Sequence, residues 1–188
     1  MLRFRILHRG TASLLREAEG AALLEFAIVL PLLVVFVVGI FDFSGAVNQK
    51  QKIEQAAQEG AIIAGAQPMS DIGPNPGSLQ AVATAVYNSL VGSGVLPKGC
   101  VAPGTAVNTP PSLKWTYTIK ACPTDDLVIV INRGWAAASG PPVAVGTIVT
   151  VQYPYHWRFG SVIQLLFPGA GYAAITNVTE SATVHNQM

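Results

Sequence analysis

The sequence predicts an α+β protein: a long N-terminal helix, transmembrane then amphipathic, followed by a small domain with an antiparallel sheet. Three observations carry this. From Phe26 to Phe41 there is no charged side chain and nearly every residue is apolar. The stretch Asp42–Ala66 keeps helical spacing, with Phe43, Ala46, Ile53, Ala57, Gly60 and Ala64 recurring three, four and seven residues apart. Beyond Pro68 lie runs of β-branched and aromatic residues joined by short loops, the pattern of antiparallel pairing.

Taken in order, the apolar run comes first. Ala21–Phe41 as a helix is a rod of about 30 Å, the thickness of a bilayer's hydrocarbon core. Glu25 is the anomaly at its start. A carboxylate drawn to the midplane costs up to about 3 kcal/mol, so Glu25 is expected near the interface or paired. Arg3, Arg5, Arg9 and Arg16 precede the run, whereas Asp42 comes first on the far flank, ahead of Lys50 and Lys52. The excess of basic residues places the N-terminal side in the cytoplasm and the remainder in the periplasm or outside the cell. The alternative is a secretory signal cut after Ala46, with Ser44 and Ala46 as small residues. The run is long for such a signal, and Asp42 and Phe43 crowd that site. Pro31 lacks an amide donor, so a kink near Ala27–Pro31 is expected, and Gly39 is a second soft point.

The segment Asp42–Ala66 has a face of small residues that lets another helix approach closely, or that packs on the protein's own domain. Pro68 ends it, and the Pro- and Gly-rich stretch 70–77 is a loop. Ser78 is the expected cap of a second helix, Leu79–Val91, with Leu79, Val82, Val86 and Leu90 on one face. The stretch 96–111 reads as loop. Four strands follow: Leu113–Ala121, Asp126–Ile131, Gly146–Tyr155 and Tyr172–Val184. Cys122–Asp125 is a hairpin loop, Arg133–Gly134–Trp135 a turn with an anchoring aromatic, and Phe159–Phe167 a short helix. Cys100 and Cys122 are the only cysteines. In an oxidising compartment they can pair, closing a loop worth about 3 kcal/mol in the chain-entropy model. Two free thiols are the alternative, and spacing alone does not choose.

A net charge of +1 excludes a strongly basic nucleic-acid binder. Hydrophobic residues make up 51% and charged ones 11%, a balance that the membrane run partly explains. His8, His156 and His185 are isolated, and no Cys–His set has zinc spacing, so no metal and no cofactor is expected. Gly160–Ser161 lacks a nucleophile-elbow pattern, and there is no phosphate loop. Asp125–Asp126 reads as a turn rather than a catalytic pair. The cluster Tyr153–Pro154–Tyr155–His156–Trp157 can stack on a sugar, but such clusters more often cap a core where a strand ends. No catalytic residue is expected, and the chain does not read as an enzyme.

The residues Glu25–Phe26–Ala27, Pro31, Gly39-x-x-Asp42 and Ala56–Ala57-x-Glu59–Gly60–Ala61 resemble the TadE-like family of the tight-adherence pilus system. Val149-x-Val151-x-Tyr153–Pro154–Tyr155 is similar to that family's strand ending in a Tyr-Pro-aromatic element. Gln58 stands where the family often has Arg, and the middle of the chain, 68–144, matches nothing recognisable. The resemblance implies a type IV pilin-like fold and a minor pilin or pseudopilin that assembles through its N-terminal helix. It implies a prepilin peptidase cutting between Gly20 and Ala21, with 1–20 as leader, 21–66 as helix and 67–188 as extracytoplasmic domain. Glu25 becomes the fifth residue, with Phe26 in the aromatic place after it. In pilin-like assembly that carboxylate neutralises the α-amino group at the head of a neighbouring subunit or of its own. Implied partners are other pilin or pseudopilin subunits, the peptidase and inner-membrane lipid. Two other readings are a membrane-anchored binding module using Tyr153–Trp157, and an anchored periplasmic hydrolase.

Overall fold

The computed structural model describes residues 10–108, 112–136, 145–160, 169 and 175–186, with side chains from Gly20 onward. Helix α1 spans Gly10–Gly65 and runs through Pro31. It ends in tightened turns, Ala66 N–H to Ile63 O and Gln67 N–H to Ala64 O, just before Pro68. The chain divides into two compact units: residues 1–43 with 158–172, and residues 44–157 with 173–188.

In the first unit α1 carries the apolar run. Its large side chains are exposed on every side, among them Leu23, Phe26, Ile28, Phe36, Ile40 and Phe41. A helix with no polar face is stable only where lipid or other helices cover it. Its mean hydropathy reaches 2.8, and it is the one described helix long and apolar enough to cross a membrane.

The second unit holds the hydrophobic core. Here α1 buries Ile53, Ala56, Ala57, Ala61 and Ala64. Gly60 is a close-approach position. A Cβ there would collide with Val86 Cγ2 and lie 3.3 Å from Val149 Cγ1. Helix α2, Gly77–Gly92, answers with Leu79, Val82, Ala83, Val86 and Leu90, all buried. The expected Ser78 cap is corrected: Pro76 occupies the cap position and no side chain caps it. Instead the Asp71 carboxylate accepts the Ser78 N–H at 3.0 Å, serving one of the orphan amides of the first turn from outside the helix.

Strands β1 (Val107–Asn108), β2 (Lys114–Ile119), β3 (Leu127–Ala136), β4 (Val145–His156) and β5 (Ile175–His185) form one sheet in the order β1-β2-β3-β4-β5. Every neighbouring pair is antiparallel. The alternation puts Trp115, Tyr117, Ile119, Ile129, Ile131, Val149, Val151 and Tyr153 into the core shared with both helices. The α+β class with its antiparallel sheet is as the sequence predicts.

Two local expectations change. β1 lies inside the stretch read as loop. β3 continues past Ile131, so Arg133–Gly134–Trp135 is strand, with a register shift between Asn132 and Trp135. Arg133 N–H bonds to Leu113 O at 2.8 Å, and Asn132 Oδ1 accepts the Gly134 N–H at 2.9 Å, so the irregular step keeps its backbone satisfied. Gly146 makes room for Trp135, whose Cε3 would be 2.6 Å from any Cβ there. The expected helix Phe159–Phe167 falls largely outside the described residues. Cys100 and Cys122 form a disulfide, with Cα atoms 5.2 Å apart.

Candidate assembly segment

The helical residues from Gly20 onward form the candidate site. Gly20 and Ala21 lie inside α1 and are exposed, and a side chain at Gly20 would meet nothing within 4 Å. Glu25 is also exposed, four residues after Ala21. Positions four apart share one helix face, about 6 Å from each other. A charge on the Ala21 nitrogen and the Glu25 carboxylate would therefore stand one turn apart. Phe26 is 60% exposed, and the side chains of 21–30 are all exposed. Glu25 is the lone ionisable group between Ala21 and Phe41. In a lipid setting an isolated carboxylate is costly, so this segment strongly favours a cationic mate.

At the other end of the run, Asp42 is 1% exposed. Its Oδ1 accepts the Arg158 N–H and its Oδ2 the Phe159 N–H, both at 3.1 Å. Amide donors to each oxygen are what let a carboxylate be buried.

The remaining candidates are structural. Tyr153 and Tyr155 are each 5% exposed. Tyr153 donates its hydroxyl to Cys122 O, and burial pushes its pKa up. Tyr155 and Trp157 pack edge to face with centroids 5.2 Å apart, and the Trp157 indole donates to Thr176 Oγ1 at 2.8 Å. The cluster thus closes the end of the core more than it opens a platform. His156 Nε2 lies 2.5 Å from Asp125 Oδ2, and this contact holds the Asp125 carboxyl below its ordinary range. Among the described residues no nucleophile is hydrogen-bonded to His156. No metal-holding group of three or more acidic, His or Cys side chains occurs among the described residues.

A second buried charge sits on β3. The Arg133 side chain is fully buried, and Nη1 donates to Pro68 O at 2.9 Å and Asp71 O at 3.3 Å. Trp115 Nε1 donates to Gly73 O at 3.1 Å. Together they fasten the 68–73 loop to the sheet. Burial lowers the Arg133 pKa, and burial beside Asp71 pushes the Tyr117 hydroxyl up to about 12.

The family model described as "TadE-like protein" matches residues 20–61. Over that stretch the chain is similar to TadE-like proteins. The match starts at Gly20, the residue before the exposed Ala21–Glu25 turn, and ends within the buried small-residue face of α1. No significant match was found among curated proteins or solved structures.

Sequence reasoning singled out Asp42 without finding its role. The signal was there: an acidic residue directly after an uncharged run must be either solvated or bonded. The Asp125–His156 and Arg133–Pro68 contacts left no local signal, since they join residues 31 and 65 positions apart.

Proposed function

We propose that this protein is a TadE-like minor pilin or pseudopilin of a tight-adherence pilus. A prepilin peptidase removes the leader after Gly20, leaving Ala21 as the mature N-terminus. The helix stays in the inner membrane, N-terminus cytoplasmic and globular domain periplasmic, until the subunit enters the pilus. Glu25 then pairs with the α-amino group of Ala21 on an adjoining subunit. Its role is in pilus biogenesis and surface adhesion, and the work done is assembly, not turnover. The observation that carries this reading is the exposed Glu25 one helical turn past Ala21 on an otherwise uncharged helix. At the low effective dielectric of a lipid-buried bundle, an opposite charge on a neighbour both offsets the cost of the carboxylate and fixes axial register. The test is Glu25→Ala. The variant should insert in the membrane at normal level and be depleted from sheared pili. Normal piliation would remove the carboxylate from the mechanism.

A further inference from the structure

We propose that Arg158 and Phe159 are a second membrane contact, held at the headgroup layer by Asp42, with the Arg158 guanidinium on the phosphate of an anionic phospholipid. The inference rests on the membrane span of α1 and not on the pilus assignment.

Its starting point is the position of Asp42. The uncharged run ends at Phe41, so Asp42 is the first polar residue the helix presents on leaving the hydrocarbon. Phe41 and Phe43 flank it, 68% and 65% exposed. Both Asp42 oxygens are occupied by amides of residues more than a hundred positions away, Arg158 and Phe159. Two bonds of 3.1 Å to one carboxylate fix the backbone of these residues at the depth of Asp42 itself. The Arg158 side chain is exposed. A guanidinium at headgroup depth meets phosphate, which its fork of donors fits in two-point fashion. From Phe159 the sequence carries no charged side chain until Glu180. Asp42 is a positioning residue in this account, and Arg158 makes the contact.

The experiment uses the full chain in lipid nanodiscs of phosphatidylcholine with phosphatidylglycerol. A nitroxide is placed at Phe159→Cys, and its depth is read from oxygen and nickel-chelate accessibility. Val34→Cys reports the hydrocarbon and Asn88→Cys the aqueous domain. The label at 159 is expected at the depth of one at Phe41→Cys, between the two controls. Adding Asp42→Ala moves it to the Asn88 value while Val34 stays lipid-buried. Arg158→Gln, or discs of phosphatidylcholine alone, shifts it part of the way to water, and millimolar inorganic phosphate leaves it in place. A label at 159 as water-accessible as Asn88, with Val34 still in lipid, overturns the proposal. Displacement by inorganic phosphate overturns the lipid assignment. A water-exposed label at Val34 removes the span, and this contact with it.

Discussion

One helix lives in two environments. Between Ala21 and Phe41, α1 exposes Leu, Ile, Val and Phe all round, and between Ser44 and Gly65 it buries a stripe of Ala, Gly and Ile. Among the described residues nothing buries most of the first half's side chains, so bulk there serves contact with lipid or other helices. The second half must let α2 and the sheet come close, so bulk is excluded at Gly60, Ala57 and Ala64. Side-chain size and charge together separate the halves: the first has Glu25 alone as an ionisable group, and the second carries Lys50, Lys52, Glu54 and Glu59.

That contrast can be broken by substitution. Ile53→Ala should cost the globular unit about 2–5 kcal/mol in thermal or denaturant unfolding, since Ile53 is fully buried. Leu33→Ala, at a position 52% exposed, should leave the same transition within about 0.5 kcal/mol. Equal losses would mean that the two halves share one core. Replacing Cys100 and Cys122 together by Ser should cost about 3 kcal/mol, since the bridge links residues 22 apart. Unchanged unfolding on adding reductant to the native protein would contradict this. Gly60→Ala should cost about 1–3 kcal/mol through its collision with Val86, whereas Gly39→Ala, in open space, should be neutral.

The smallest effect is expected at Asp71. The Ser78 N–H holds its carboxyl below the ordinary carboxylate range. With the folded pKa depressed, its contribution is complete above about pH 4 and is lost as the pH falls through the folded value. Asp71→Asn should therefore lower the melting temperature slightly at pH 7 and flatten the acid limb of its pH profile. A parallel profile at lower temperature would assign the loss to packing instead.

What the sequence discloses follows the range of each interaction. The apolar half of α1 is legible because an uncharged run needs no partner to be recognised. β2 is legible because Trp115, Tyr117 and Ile119 alternate. β1 is not: two residues have no period, and only pairing of Val107 with Thr116 makes them strand. The far end of β3 is missed because Arg and Gly read as exposed turn. Arg133 is buried there only because the 68–73 loop arrives with carbonyls to receive it. In the candidate site, Gly20, Ala21 and Glu25 stand within one short stretch and can be read directly. The hold of Asp42 on Arg158 spans 116 positions and needs the folded chain.

The most direct measurement is the intact mass and N-terminal sequence of the protein recovered from the membranes and pili of its own cells. The account predicts a mature chain beginning at Ala21, with Glu25 as its fifth residue. Filaments that form normally around subunits still carrying Met1 and the arginine-bearing leader would contradict it.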